Sequence, residues 1–264
     1  MRSSICCVVL VAVGLTTATT QPANPSIVGL DHIPIAVNDL EAAGGRFRAL
    51  GFALKPGRPH DNGLRNLHAK FPDGTELELI NAPAARDELT AKYRRHLAEG
   101  DGPAFLALHA PERQRVREPL PPYVFLAALN HSPTDRPEHF AHANGAVAFI
   151  SVWLAGDDLS AERRLLQSGG ATFTKRRVHI PDPVDADVAQ LRDGDVVLLA
   201  GTHQRIKGRP IIGATLRVTS AATARKVIEG GGIPVRASAT SVFVAPEAAN
   251  GLWLEFRDAS TTSR

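Results

Sequence analysis

The sequence predicts an α+β fold built from repeated β-α-β-β-β modules, and three observations carry that reading. The first is a spacing that returns three times. Asp39-Leu40 opens a helix-like run that stops at Leu50-Gly51, Asp158-Leu159 leads to Gly169-Gly170, and Ser220-Ala221 leads to Gly231-Gly232. From Asp39 to Gly51, Asp158 to Gly170 and Ser220 to Gly232 the separation is 12 each time. The second is the way each copy closes on a turn and an apolar strand. Asp73-Gly74 precedes Glu76-Leu77-Glu78-Leu79-Ile80, Asp193-Gly194 precedes Val196-Val197-Leu198-Leu199, and Asn250-Gly251 precedes Trp253-Leu254-Glu255-Phe256. The third is a period of roughly 50 residues, the mark of one duplicated unit that buries its apolar face only against its siblings.

The elements of the first copy follow in order. Residues 30–37 alternate: Ile33, Ile35 and Val37 share one face and His32, Pro34 and Ala36 the other, as in a half-buried strand. Asn38 with Glu41 three residues on matches a capping box and Gly51 a C-terminal stop, which predicts a helix over residues 39–50. Strands are predicted around residues 52–55, 64–71 and 76–80, with the helix on one face of a small sheet and the opposite face left open. Copy two spans residues 146–201 and copy three residues 211–258. Between them and copy one, residues 101–144 hold strand-like segments at 104–109 and 123–129 with hardly room for a full helix. This is a shortened fourth module, centred on 103–131. The modules pair into two half-barrels, residues 27–144 (full module 27–82, connector helix, shortened module) and residues 145–258. Residues 84–100 read as an amphipathic connector helix whose charges form a solvated face. Gly230-Gly231-Gly232 precedes a strand and no helix, so it is a helix stop and no phosphate cradle, and no nucleotide cofactor is expected.

Composition sets the outer bounds. The chain has 264 residues, 44% hydrophobic and 22% charged, ordinary for a globular protein. A formal net charge of +3 with no basic stripe interleaved with aromatics argues against nucleic acid as a partner. The basic run Lys175-Arg176-Arg177 reads as a solvated strand edge. Arg2, the apolar residues 5–15 and Ala18-Thr19-Thr20 ahead of Gln21-Pro22 make residues 1–21 a signal peptide. The apolar stretch is short for a bilayer span, so a cleaved leader, no stable membrane anchor and a periplasmic or secreted mature chain are expected. Both cysteines, Cys6 and Cys7, lie inside the leader, which leaves the mature chain without a disulfide, a thiolate nucleophile or a cysteine ligand. Four modules can complete both half-barrels within one chain, so a monomer or a homodimer satisfies the pattern.

Residues 30–40 (Leu-Asp-His-Ile-Pro-Ile-Ala-Val-Asn-Asp-Leu), Gly63-Leu64-Arg65-Asn66 and residues 73–80 (Asp-Gly-Thr-Glu-Leu-Glu-Leu-Ile) carry a family resemblance. His142-Ala143-Asn144-Gly145-Ala146 adds a segment similar to the His-Pro-Asn-Gly-Ala that opens the second half of such proteins. Over residues 27–258 the chain resembles the vicinal oxygen chelate superfamily, the glyoxalase, bleomycin-resistance and extradiol-dioxygenase group, and in it the glyoxalase-like members with two paired-module halves. The resemblance implies a cup holding a divalent metal such as zinc, nickel, manganese or iron. Its ligands come from a residue early in the first strand and another in the last strand of paired modules. Carried over by position, copy one offers His32 and Glu78, copy two Ser151 and Leu198, and copy three Gly213 and Glu255. His109 and His131, near strand ends of the shortened module, are the candidates for a third ligand. Arg65 stands where such members often have His. A guanidinium can clamp a carboxylate, yet parity puts Arg65 on the helix side, where it can equally lie at a strand edge.

The faces give a separate argument. Glu76 and Glu78 share one face of their strand, and Asn66, His68 and Lys70 share one face of theirs. With the apolar sets turned to the helix, His32, Asn66, His68, Glu76 and Glu78 converge on the open face, and imidazoles and carboxylates are what a divalent ion accepts. His32 and Glu78 are thus read as metal ligands, Glu76 and His68 as proton-transfer groups, and Asn66 and Arg65 as substrate contacts. The plainer readings are a buried His–carboxylate hydrogen bond, a solvated strand-edge Glu76, and cross-strand hydrogen bonds from Asn66 and His68. His131, His139 and His142 read as loop residues with no shared partner, and Glu255 with Trp253 as the lining of a second, metal-free pocket or as core. Two functions follow: a metal-dependent lyase, isomerase or dioxygenase acting on a small oxygen-rich metabolite, or a non-catalytic binder of a metabolite or antibiotic.

Overall fold

The computed structural model describes residues 24–259. The first module runs β1 (Gly29–Ala36), α1 (Leu40–Ala49), β2 (Lys55–Pro56), β3 (Arg65–Lys70) and β4 (Glu76–Asn81). Alternation makes β1 a strand, and the crossover through α1 lays it parallel to β4, with His32 beside Glu76. β3 returns antiparallel to β4 and sets His68 beside Glu78. The N-cap of α1 is Asp39, whose side chain accepts from the backbone N–H of Ala42. The predicted cap, Asn38, is instead drawn outward to Asp101 and the carbonyl of Leu97.

After α2 (Glu88–Leu97) and the two-residue β5 (Gly102–Pro103), the shortened module supplies β6 (Leu106–His109) and β7 (Val124–Ala127). The seven-stranded sheet has the order β2-β3-β4-β1-β6-β7, with β5 on β1. The second half comprises β8 (Ala146–Gly156), α3 (Ser160–Ser168), β9 (Thr172–Ile180), β10 (Asp182–Leu191) and β11 (Gly194–Ala200), then β12 (Ile211–Val218), α4 (Ala221–Gly230), β13 (Val235–Ala237), β14 (Ser241–Val244) and β15 (Trp253–Asp258). Its eight-stranded sheet has the order β13-β14-β15-β12-β8-β11-β10-β9, so the basic run of β9 is an edge strand, as the sequence indicates. Among the described residues no helix is long and apolar enough to cross a membrane. The leader read over residues 1–21 lies outside them.

The helix-side faces of the two sheets share one core. Ile33, Phe47 and Leu79 from the first half lie in the same cluster as Phe149, Ile228 and Phe256 from the second, and the rings of Phe52 and Phe256 are 5.8 Å apart. The shortened module has no α-helix between β6 and β7. The second half covers it: Leu165 and Leu166 of α3 pack with Leu106, Leu108 and Val124, and Tyr123 donates to Glu162 at 2.7 Å.

Two sequence expectations change here. His142 sits in the loop before β8, but it has partners: it is buried in the seam between halves. Its Nδ1 accepts from the N–H of Ala53 (3.0 Å), its Nε2 donates to the carbonyl of Lys70 (2.8 Å), and its ring meets Phe52 and Phe71 edge-on. The open face of the first sheet is also partly covered. Tyr93 and Leu97 of α2 pack on Ala36, Leu64 and Ile80, so the connector helix is a lid whose apolar stripe faces the cup and whose charges face water.

Candidate functional site

The cup beneath that lid gathers the predicted side chains. His32 stands beside Glu76 in the β1–β4 register, and Glu78 stands beside His68 in the β3–β4 register. Nδ1 of His32 donates to Asp31 at 2.5 Å. That leaves Nε2 facing Oε2 of Glu78 at 3.8 Å. The other Glu78 oxygen accepts from Asn66 at 2.6 Å. On the far side, Nδ1 of His68 lies 3.2 Å from Glu76, which also accepts from Asn130. Glu76 is no solvated edge carboxylate: its residue is 2% exposed.

Electrostatics follow the geometry. Burial works against charge on His32, but the Asp31 hydrogen bond and the carboxylates of Glu78, Asp31 and Glu76 outweigh it and raise its pKa. Burial likewise pushes Glu76 up, and its contacts with His68 and His32 more than compensate, holding the carboxyl below its ordinary range. The phenol of Tyr93 is raised well above its usual value by burial and by the nearby Glu78 charge, so the lid presents a neutral hydroxyl. An aromatic wall runs from the lid to the imidazole: Tyr93 to Phe105 (5.2 Å), Phe105 to Phe125 (6.4 Å) and Phe125 to His32 (5.3 Å).

Asp31, Asn130, Phe125 and Tyr93 were not found by sequence reasoning. Asp31 precedes His32 and should point the other way in a regular strand. The register with β6 shifts between Leu30 and His32, and this irregularity lets the two neighbours meet. The remaining predicted residues lie elsewhere. Arg65 is exposed at the start of β3, paired in register with Asn81. His109 pairs with Gly29, two places along β6 from Ala107, the residue opposite His32. The ring of His131 lies at the Asp73-Gly74 turn, so close that a Cβ on Gly74 would stand 2.8 Å from its Nε2.

Of this set, His32 and Glu78 are the two side chains whose free atoms could hold one divalent ion. Asp31 behind His32 is the carboxylate brace that metal-ligating histidines usually have, and Nε2 of His32 and Oε2 of Glu78 face each other too far apart to hydrogen-bond. Among the described residues, however, no three His, Cys, Asp or Glu side chains are grouped to hold a metal. An ion in this cup would need oxygen atoms of water or substrate to complete its shell.

The second half shows how the same position is emptied of ligands. Gly213 stands where His32 does in copy one, and a Cβ there would lie 2.1 Å from the indole of Trp153. Trp153 fills the space and donates to Thr215 at 3.1 Å, and Thr215 donates to the buried Glu255 at 2.8 Å. Glu255 also accepts from Ser241 and, with both oxygens, from Arg257. Glu255 lines a cavity of about 420 Å³, and Trp253 packs against the apolar cluster beside it.

Comparison with known proteins agrees with this architecture. A family described as glyoxalase-like domain matches residues 30–125, the segment that holds β1 to β6 and the start of β7. Among solved structures it is similar to a xylose isomerase-like TIM barrel/4-hydroxyphenylpyruvate dioxygenase fusion protein, at 11% identity and a TM-score of 0.62 over 96% of this chain. The chain spans 52% of that protein's length. It is also similar to the 2,3-dioxygenase LapB from Pseudomonas sp. KL28, at 14% identity and a TM-score of 0.56 over 90% of this chain and 94% of that one. A third likeness is to homoprotocatechuate 2,3-dioxygenase from Arthrobacter globiformis, at 15% identity and a TM-score of 0.55 over 92% and 84% of the two chains. No curated protein matches the sequence. The chain thus shares the paired-module α+β fold of these dioxygenases.

Proposed function

We propose that this glyoxalase-like protein acts on a small oxygen-rich molecule in the first-half cup, with His32 and Glu78 holding a divalent metal. One observation carries the reading: Nε2 of His32 and Oε2 of Glu78 face each other at 3.8 Å with no hydrogen bond between them, while Nδ1 of the one and Oε1 of the other are tied to Asp31 and Asn66. When bound, the metal would polarise two adjacent substrate oxygens as a Lewis acid. Asp31 keeps the proton of His32 on Nδ1 and so keeps Nε2 turned into the cup. Glu76, ionised beside His68, is placed to take a proton from the bound molecule, and His68 to share it. Tyr93, Phe105 and Phe125 shield this exchange from water. The dioxygenases of the same fold support a dioxygenase, lyase or isomerase reaction. The absence of a third ligand among the described residues favours the second reading, a binder that encloses its molecule without changing it.

Elemental analysis separates the two. Protein incubated in turn with zinc, nickel, manganese and iron, then desalted, is expected to retain near-stoichiometric metal with at least one of them. His32→Ala and Glu78→Ala are expected to lose it. A folded wild-type chain that retains none of the four overturns the metal reading and leaves the binder. Export belongs to the same proposal: N-terminal sequencing of the protein from its host is expected to begin just after residues 1–21, and an intact Met1 would refute it.

A further inference from the structure

The concave side of the eight-stranded sheet holds its own cavity, about 420 Å³, between the two edge strands β9 and β13. Its rim is closed where Arg236 of β13 donates to Asp182 at 2.5 and 3.3 Å. Four arginines line it, Arg176, Arg177, Arg236 and Arg257, against one carboxylate, Glu255. That carboxylate is already satisfied, because Arg257 grips it at 2.6 and 2.9 Å while Ser241 and Thr215 donate to it. The other three guanidiniums have partners only outside the lining: Asp182 for Arg236, Asp185 for Arg177 and Asp195 for Arg176. The carboxylate of Asp182 is 74% exposed, and Arg176 meets Asp195 only at 3.5 Å; such ion pairs hold weakly and exchange for a better anion. The floor is apolar. Phe243 both lines the cavity and belongs to a buried cluster with Trp153, Ile180 and Val197.

We propose that this second cup binds a small organic anion. Its carboxylate or phosphate sits between Arg176 and Arg236, whose forked donors match either group and which share the face of Val178 and Phe243 by strand alternation, and its apolar body lies on Phe243 and Val178. The cavity volume falls in the range of small-molecule sites, roughly 300–1,000 Å³. The site is separate from the His32–Glu78 cup and stands or falls without it.

The protein has two tryptophans, Trp153 and Trp253, and both belong to the apolar layer beside this cavity, so intrinsic fluorescence reports on it and not on the first cup. The full chain is titrated with octanoate, octyl phosphate and, as controls, octanol and octylamine. Octanoate or octyl phosphate is expected to shift the emission saturably, and the tighter of the two identifies the head group. Octanol and octylamine are expected to bind at least about tenfold more weakly. The double variant Arg176→Gln/Arg236→Gln is expected to raise the dissociation constant about tenfold or more. Arg225→Gln on the exposed face of α4, and His32→Ala in the other cup, are expected to leave it unchanged. Arg176→Gln alone, at a side chain 38% exposed, keeps the comparison usable should the double variant melt early. Equal binding of octanol and octanoate, unchanged affinity in the arginine variants, or no saturable shift into the millimolar range would each overturn the proposal.

Discussion

At position 213 a hydrogen atom decides what the second cup contains. Any side chain there would meet the indole of Trp153, with a Cβ 2.1 Å from its Cε3. Gly213→Ala is therefore expected to destabilise the protein by roughly 1–3 kcal/mol, the usual cost of overpacking a filled core. Urea denaturation would measure it, and a red shift of tryptophan emission in the folded state would show the indole displaced. Matching offsets made the loss of the copy-three ligand legible in the sequence. What replaced it was not, because Trp153 comes from a different strand. Asp31 teaches the same lesson in the first cup, where parity fails at an irregular register. The Asp31 hydrogen bond is the largest influence raising the His32 pKa, opposing the still larger effect of burial. Asp31→Asn is accordingly expected to lower that pKa, so that the imidazole loses its proton at lower pH than in the wild type. NMR titration of the ring would check the direction, and an unchanged or higher value would contradict the brace.

Elements show where pattern reading succeeds and where it stops. The spacing from Asp39 to Gly51 and its two repeats correctly announced α1, α3 and α4, because caps and stops are local signals. The amphipathic stripe of α2 was equally legible, with Asp87 and Thr90 forming its capping box. Which surface the stripe covers is a tertiary fact that no local pattern contains. Leu97 is 5% exposed and packs in the cup cluster with Tyr93 and Ile80. Leu97→Ala should cost roughly 2–5 kcal/mol, and hydrogen exchange should show the lid opening before the sheet does. A second long-range device holds the loop that carries Asn130. Nζ of the buried Lys70 donates to Asp135 at 2.6 Å and to the carbonyl of Asn130 at 2.7 Å, and Lys55 grips the other oxygen of Asp135 at 2.5 Å. Asp135→Ala would strand the Lys70 ammonium, at a cost of about 3 kcal/mol. Loss of the Asn130 contact to Glu76 should accompany it, visible as broadened Asn130 amide signals.

Across the whole molecule, one core joined from both halves should make folding a single event, and histidines whose pKa burial lowers, His109 besides the two more deeply buried ones, tie its stability to pH. Inside the seam, His142 accepts from Ala53 through Nδ1, a bond only the neutral ring can make, and burial lowers its pKa. His96, at the end of α2, is pushed down to about 4, chiefly by burial and then by the charge of Arg209, and its Nε2 has no hydrogen-bond partner. Unfolded, both would titrate near the ordinary 6.5. Between that value and about 4 the unfolded chain binds more protons than the folded one, so stability must fall as pH falls through this window. Two other groups act differently. The raised pKa of His32 contributes stability at low pH that is lost as pH rises through it, which opposes the trend. Asp135, held well below its ordinary 3.8, begins to cost stability only under that pH. A net decline between pH 6.5 and 4 thus requires the two neutral histidines to outweigh His32. Urea midpoints measured across that range should drop on acidification, less steeply in His96→Gln. Tryptophan emission, which reports the second half, should lose its folded signal at the same midpoint as far-UV circular dichroism, which reports both. A midpoint that is flat or rises toward pH 4 would mean that His32 outweighs the neutral rings, and an equal slope in His96→Gln would mean that this ring is charged in the folded state. Separate midpoints for the two probes would mean the halves do not share the core that their burial pattern describes.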